Sequence, residues 1–272
     1  ISGVNYQYVP ESGVVEVEPY IEQTRDNTLT IRISFGTYRC SANGTKWERR
    51  LAASESNNGT LWFERNGKEY LTCYPIPTDA GFGFEKEKEA RQYQEWQNIA
   101  GYESTNLLNG SKEEIKCARI YCEYNKETKT YTLTLVEKEE TRDNFWTIRQ
   151  ILGEYEWQPG MTKWSRTKKA QSYVDTTANL SMNLDGIVCW TYVPASSDSD
   201  FCFYNNMETY RNLVFYQTGD MTGNTRKQLS CKIKYLNENG VDVIQILDNE
   251  GNRSYGKFSY DLALKSWILA GN

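Results

Sequence analysis

The 272-residue sequence contains no histidine. Without imidazole, the chain cannot form a Ser–His or Cys–His nucleophile pair, and it has no histidine ligand for zinc. The G-x-S-x-G, G-x-G-x-x-G and G-x-x-x-x-G-K-[ST] motifs are also missing, and there is no CxxC pair for a thiolate metal site. The sequence therefore predicts a protein that is not an enzyme and that uses no cofactor or metal.

Long apolar runs and basic clusters are missing as well. No run approaches the roughly 18 apolar residues that a membrane-spanning helix needs. The net charge is -5 and the pI is about 5.1, and Lys and Arg are not concentrated in one segment, so the signature of a nucleic-acid partner is absent. The first residue is Ile1 rather than methionine, which fits removal of a signal peptide and predicts a soluble, secreted protein.

An internal repeat is the main feature that is present. The segment 22–38, EQTRDNTLTIRISFGTY, returns 117 positions later at 139–155 as EETRDNFWTIRQILGEY, with ten of seventeen positions identical. The same register places Trp47 and Arg49 on Trp164 and Arg166. A fixed repeat of this length indicates one module built twice, so we expect two domains, 1–138 and 139–272.

Short alternating runs rich in β-branched residues dominate both copies, including 14–18, 30–35, 130–136 and 241–247. They predict a mainly β fold of two similar antiparallel domains, each a meander barrel or sandwich. One short helix is expected in each copy, over about 85–97 and 206–216, because strong helix formers or an Asn cap precede helically spaced aromatics. Tyr93 and Tyr210 are expected to be core residues of these helices.

The seven cysteines suggest an oxidising compartment. Cys73 and Cys117 lie near the repeat positions of Cys189 and Cys231, so two equivalent disulfides, Cys73–Cys117 and Cys189–Cys231, are predicted. Cys40 and Cys122 occur only in the first copy and would form a further disulfide, which leaves Cys202 unpaired.

Five N-x-S/T sequons support secretion. They predict glycosylation at Asn43, Asn58, Asn109, Asn179 and Asn252. Asn43-Gly44 also reads as a tight hairpin turn between two strands, which would expose the first of these sites.

The repeated pairs Trp47 with Arg49 and Trp164 with Arg166 are the candidate recognition residues. Alternate residues of a strand share a face, so each guanidinium could lie over an indole and offer a surface for a sugar or a protein partner. Packing of the Trp in the core, with Arg at its edge, is the other interpretation.

Two further classes stay open. Exposed Trp and Tyr would suit a carbohydrate-binding module, and glycine between an apolar strand and an aromatic, as at 35–38 and 152–155, faintly suggests a lipocalin-like carrier. A carboxylate-dependent hydrolase would need two acids with different pKa values in one cleft. The acidic residues at 85–89, 198–200 and 248–250 are more simply solvated.

Acidic composition, abundant Tyr, several sequons and a processed start at Ile1 together resemble the blepharmone pheromones, the conjugation-inducing glycoproteins of heterotrich ciliates. The resemblance covers the chain in length and composition and rests on no motif. It implies a secreted mating pheromone that a cell-surface receptor protein recognises to induce cell pairing. It assigns no functional residue.

Overall fold

The structure is a computed structural model that describes residues 1–26, 28–41, 43–217, 219–220 and 225–270. These residues form 21 β-strands and one short 3₁₀ helix, Ser104–Asn106. The predicted mainly β fold is confirmed. None of the described helical segments has the length and apolar character needed to cross a membrane.

The chain divides into two compact units, residues 1–138 with 150–171 and residues 139–149 with 172–272. The first cut between the units falls after Lys138. The units are not separated by a single cut, because residues 150–171 also belong to the first unit.

An N-terminal sheet opens the first unit. Its strand order is β5-β4-β2-β3-β6, and β1 pairs with β2. The strands are β1 Gly3–Val9, β2 Val14–Arg25, β3 Leu29–Ser34, β4 Thr37–Ser41, β5 Glu48–Leu51 and β6 Ser54–Asn57. Strand β2 pairs with β3 near its end and with β4 near its start. The predicted hairpin around Asn43-Gly44 joins β4 to β5.

The second sheet, called here the first barrel sheet, runs in the order β13-β12-β11-β10-β9-β8-β7, and β14 pairs with β12. Its strands are β7 Leu61–Arg65, β8 Lys68–Thr72, β9 Gln92–Glu103, β10 Lys112–Asn125, β11 Thr130–Arg142, β12 Trp146–Trp157, β13 Ser165–Lys168 and β14 Gln171–Thr176. The Trp164 amide donates to the Thr60 carbonyl (2.8 Å), which brings the two ends of the sheet together.

The third sheet is a closed barrel within the second unit, in the order β15-β16-β17-β18-β19-β20-β21. Its strands are β15 Leu180–Leu184, β16 Ile187–Thr191, β17 Glu208–Gln217, β18 Arg226–Glu238, β19 Val241–Leu247, β20 Ser254–Asp261 and β21 Ser266–Leu269. The Trp267 amide donates to the Asn179 carbonyl (2.7 Å), the counterpart of the Trp164 bond. Pairing of β15 with β21 closes the third sheet, whereas the ends of the first barrel sheet meet at the Trp164–Thr60 bond.

The two predicted helices are wrong. Residues 92–103 form β9 and residues 208–217 form β17, and each strand pairs with a long neighbour. Cross-strand pairing outweighs the helix propensity of the Glu, Lys and Gln residues. Tyr93 and Tyr210 are 55% and 67% exposed, so they are surface residues and not core anchors.

Candidate recognition surface

The repeated TRDN motif forms the tip of the β2–β3 hairpin and fixes it to the first barrel sheet. The Asp26 carboxylate accepts a hydrogen bond from the Tyr102 hydroxyl and pairs with Lys112 Nζ at 2.8 Å. The Arg25 guanidinium lies 4.2 Å from the centre of the Tyr102 ring and donates to the Leu107 carbonyl (2.8 Å). Asn27 lies outside the described residues.

The second copy of the motif makes the same contact inside the second unit. The Asp143 carboxylate accepts from the Tyr216 hydroxyl and pairs with Arg226 Nη2 at 3.1 Å. The Trp146 ring stacks on Tyr216 with a centroid distance of 5.2 Å. Each motif-bearing hairpin thus docks, through an Asp–Tyr–cation cluster, on the barrel that follows it in the chain.

Backbone geometry and charge explain why aspartate occupies this position. Asp26 and Asp143 have positive φ values of 46° and 48°, a conformation that Asp tolerates better than most residues. The hydrogen bond from Arg226 lowers the pKa of Asp143, and burial, with the bond to Asp143, raises the pKa of Tyr216 to about 12. The carboxylate is therefore the stable form at neutral pH.

Tyr216→Phe is expected to destabilise the second unit by about 1 to 2 kcal/mol, because a buried hydroxyl that donates to a carboxylate is removed. Urea denaturation measures the change. Tyr210→Phe is the matched control, since the Tyr210 side chain is 67% exposed. Equal effects of the two substitutions would contradict the role given to the Asp143 cluster.

Asp143→Asn is expected to cost stability at neutral pH and to cost less in acid. The pKa of Asp143 is lowered by folding, so its carboxylate contributes stability above the unfolded value of about 3.9, and this contribution disappears as the pH falls through the folded pKa. Denaturation of the wild type and the variant between neutral pH and acid measures the difference. Asp185→Asn is the exposed control, and a penalty independent of pH would contradict the assignment.

One face of the N-terminal sheet is apolar. Leu29 and Ile31 on β3 bury their part of this face in a cluster with Leu71, Tyr102 and Leu107, whereas the part around β1 is exposed. We call this the open face. Tyr6, Tyr8 and Val4 on β1 are 80%, 55% and 53% exposed. The register places Tyr6 beside Val17 and Tyr8 beside Val15, and on β4 their neighbours are Tyr38 and Cys40. The open face therefore consists of Val4, Tyr6, Tyr8, Val15, Val17, Tyr38, Cys40 and Arg49.

The opposite face of the same sheet is polar and ion-paired. Glu18 pairs with Arg32 at 2.8 Å, and Glu16 pairs with Arg39 at 3.0 Å. Antiparallel sheets with one polar and one apolar face normally pack the apolar face against a core. Here the face with the charges is the ordinary solvent face, and the open face has the composition of a buried one.

The repeat shows what the open face lacks. Tyr38 and Cys40 correspond, 117 residues on, to Tyr155 and Trp157, which are only 0% and 4% exposed in the core of the first barrel sheet. Strands β7 to β9 belong to that sheet, whereas no strands in the same place of the N-terminal sheet occur among the described residues. Tyr38 and Cys40 are accordingly only half-buried.

The structure places the predicted recognition residues in different environments. Trp47 is 51% exposed, and Arg49 is exposed and lies across from Tyr38 on the open face. Trp164 is 2% exposed and its indole donates to the Pro75 carbonyl (3.1 Å), so its assignment to a surface is wrong. Arg166 pairs with Glu69 at 3.0 Å.

Sequence reasoning missed Val4, Tyr6 and Tyr8, which carry most of the exposed apolar area of the open face. The alternation V-N-Y-Q-Y-V over residues 4–9 was the available signal, because period two predicts a strand with one apolar face.

None of the three predicted disulfides is formed, since all seven cysteines are free. Cys189 and Cys231 lie on β16 and β18, which are separated by β17, and two strand spacings of about 4.8 Å exceed the roughly 7 Å that a disulfide allows between Cα atoms. Strand β9 separates Cys73, just after β8, from Cys117 on β10 in the same way. Cys40 and Cys122 belong to different sheets.

The exposed sequons differ from the buried one. Asn43, Asn58, Asn109 and Asn252 are exposed. Asn179 is 4% exposed, and its side-chain amide donates to the Val193 carbonyl (2.8 Å) and accepts from the Val193 amide (2.9 Å). A glycan on Asn179 is incompatible with this folded structure.

Peptide mapping of the protein made in an N-glycosylating host is expected to find Asn179 unmodified and to place any N-glycan at the four exposed sequons, because the Asn179 side chain is only 4% exposed. Enzymatic release of N-glycans in heavy-oxygen water, followed by mass spectrometry, marks each occupied site as aspartate. A marked Asn179 in protein that is folded by circular dichroism would contradict the packing around Val193.

The carrier and hydrolase alternatives gain little from the geometry. Large side chains fill the second barrel, including Phe203, Phe215, Phe258 and Trp267, so its interior is a core. A polar cleft of about 640 Å³ in the second unit is lined by Asp143, Asp198 and Asp200 among others, but Asp198 accepts from the Ala195 amide and the Tyr192 hydroxyl. Glu18, Asp26, Glu103, Asp143 and Asp242 each have a lowered pKa, whereas a general acid needs a raised pKa.

Comparison with known proteins gives no match to a family model, to a curated protein or to a solved structure. The described residues contain no group of three or more His, Cys, Asp or Glu side chains that could hold a metal ion.

Proposed function

We propose that the protein is a secreted glycoprotein signalling ligand, a mating pheromone that a cell-surface receptor recognises to induce cell pairing. The observation that carries the proposal is the open face, on which Tyr6 and Tyr8 are 80% and 55% exposed and Tyr38 occupies a position whose repeat counterpart, Tyr155, is buried. Exposed apolar patches of this kind mark protein interaction sites, and Tyr, Trp and Arg are the usual energetic centres of such interfaces.

The sheet that carries the open face is well suited to present it. Its β2–β3 tip is fixed to the first barrel sheet by Asp26, Tyr102 and Lys112, while the open face lies on β1, β2 and β4. Rigid tyrosines on a strand lose little conformational entropy on binding, which favours tight recognition. Four exposed sequons support an extracellular site of action.

The purified glycoprotein is expected to induce pairing when it is added at nanomolar concentration to ciliate cells of the complementary mating type. The double variant Tyr6→Ser/Tyr8→Ser is expected to need at least about 30-fold more protein, since loss of interface centres costs 2 kcal/mol or more. The control is Tyr204→Ser/Tyr210→Ser, which removes two tyrosines that are 77% and 67% exposed and lie outside the open face.

Absence of pairing with the wild type in a responsive strain would reject the pheromone proposal. Equal potency of the two double variants would reject the open face as the receptor contact. Circular dichroism of each variant establishes that the fold is intact.

A carbohydrate-binding module is the second candidate, because Trp47 is 51% exposed and could stack, with the tyrosines of the open face, against sugar rings. Titration of the protein with a panel of soluble oligosaccharides separates the two functions. Binding that Trp47→Ala abolishes, together with no effect on cells, would favour this candidate.

A further inference from the structure

The polar cleft of about 640 Å³ lies wholly within the second unit. Its walls come from the hairpin tip at 143–144, the segment 176–179 before β15, the segment that follows β16, and the turn from β20 to β21. Pockets that hold small molecules usually measure about 300 to 1,000 Å³. The cleft is therefore large enough for a ligand of that kind.

Tyr260 is the wall residue that most clearly lacks a partner. It is 8% exposed, and its ring packs edge-on against Trp267 with the centroids 5.0 Å apart. The Tyr260 hydroxyl has no hydrogen-bond partner within the part of the chain that the structure describes. Because polar groups of nearly buried side chains are normally hydrogen-bonded, this hydroxyl offers a donor to a ligand in the cleft.

Two carboxylates line the same cleft with oxygens to spare. Asp198 Oδ2 accepts from the Ala195 amide (2.9 Å) and from the Tyr192 hydroxyl (3.0 Å), which leaves Oδ1 available. Asp200 is exposed, and its carboxylate has only a long contact of 3.5 Å from the Ser199 hydroxyl among the described residues. Burial, with the bond to Asp198 and the charge of Asp200, raises the pKa of Tyr192 to about 12, so Tyr192 stays a donor that holds Asp198 in place.

The turn that contains Asp198 belongs to the scaffold, because the first copy of the repeat keeps it. The Ile76 amide donates to Asp79 Oδ2 at 3.0 Å, as the Ala195 amide does to Asp198 in the position 119 residues later. An aspartate at this turn therefore serves the fold in both copies.

Tyr192, Asp200 and Tyr260, in contrast, are specific to the second copy. The register of the turn assigns counterparts to the first two, and Tyr260 stands seven residues before Trp267, whose counterpart is Trp164. The three counterparts carry no side-chain oxygen, and they are Cys73, Gly81 and Trp157. The fold does not require these polar groups, so their convergence on one cleft points to a ligand.

The charges along the cleft decide which class of ligand fits. Asp198 and Asp200 repel an anion, whereas Lys265, which has no ion pair within the described residues, reduces the attraction for a cation. Asp143 is already paired with Arg226 at 3.1 Å. A neutral ligand rich in hydroxyls suits this mixture, because each hydroxyl can donate to a carboxylate and accept from a phenol or an ammonium group.

We propose that the cleft binds a neutral saccharide, with Asp198 and Asp200 accepting hydrogen bonds from its hydroxyls and Tyr260 donating to one of them. Leu264, which is 66% exposed, lines the cleft and offers an apolar surface to the C–H face of a sugar ring. The site goes beyond the signalling function and does not rest on it.

Saturation-transfer NMR of the full chain tests the site with four linear trisaccharides, built of glucose, mannose, galactose or N-acetylglucosamine. At least one is expected to bind at millimolar concentration, and the failure of all four would overturn the proposal. Spermidine is the cationic probe. Binding of spermidine without binding of any trisaccharide would overturn the assignment to a neutral ligand.

Tyr260→Phe is expected to weaken saccharide binding about tenfold, because one hydrogen bond is lost. Stability in urea should not change, since the hydroxyl has no partner among the described residues. Asp200→Ala is expected to weaken binding at least about tenfold, because a charged acceptor is removed. Tyr210→Phe and Asp185→Ala are the matched controls outside the cleft.

Unchanged affinity in both Tyr260→Phe and Asp200→Ala would overturn the proposal, as would a loss of affinity that only follows a loss of stability. Trp47→Ala is expected to leave binding unchanged, because Trp47 lies outside the second unit. If Trp47→Ala abolished binding and Tyr260→Phe did not, the sugar would be assigned to the N-terminal sheet and the cleft would be rejected.

These measurements involve no cells, so their failure is separate from a failure of the pheromone proposal. Pairing activity without saccharide binding would reject the cleft as a sugar site and keep the signalling function. Saccharide binding without pairing would reject the signalling function and keep the site.

Discussion

The contact of an aspartate with a tyrosine and a cation, made once by Asp26 and again by Asp143, is the constraint on which the rest of the structure depends. Each contact attaches a long hairpin to the barrel that follows it. The repeated TRDN motif therefore determines which barrel each hairpin packs against. The motif looks from its sequence like a turn alone. Its conservation between the two copies is explained by the partners Tyr102 and Tyr216, which no local pattern reveals.

The open face follows from the same arrangement. Because the described part of the N-terminal sheet contains the motif-bearing hairpin but no strands like β7 to β9, a residue that is buried in one copy is half-buried in the other, as Tyr155 and Tyr38 illustrate. A sheet with one ion-paired and one apolar face gains stability when the apolar face is covered. In the proposed receptor contact, the receptor would bury this apolar surface, and the free energy of that burial would stabilise the complex.

The repeat, the β class and most strand positions were predictable from the sequence because they depend on alternation and turn residues. The helices over 85–97 and 206–216 were not predicted correctly, since pairing with distant strands outweighs local propensity. The disulfides failed for a related reason, because a strand that separates two cysteines is invisible in their spacing. The argument from cysteine for an oxidising compartment loses its support, and the sequons remain. Trp47 and Trp164 occupy equivalent positions in the repeat. They differ because Trp164 is buried in a core and Trp47 is exposed.

The central claim is that β1 is exposed at one edge of the N-terminal sheet, where it pairs only with β2 among the described residues. Amide exchange of the free protein, resolved by residue, tests this claim most directly. Strand β10 has neighbours on both edges, so successive amides should all be protected there. In β1, protection should alternate, with the amides bonded to β2 slow and those between them fast. Uniform protection of residues 3–9 at the level of β10 would contradict the claim, because it would mean that the edge is already covered.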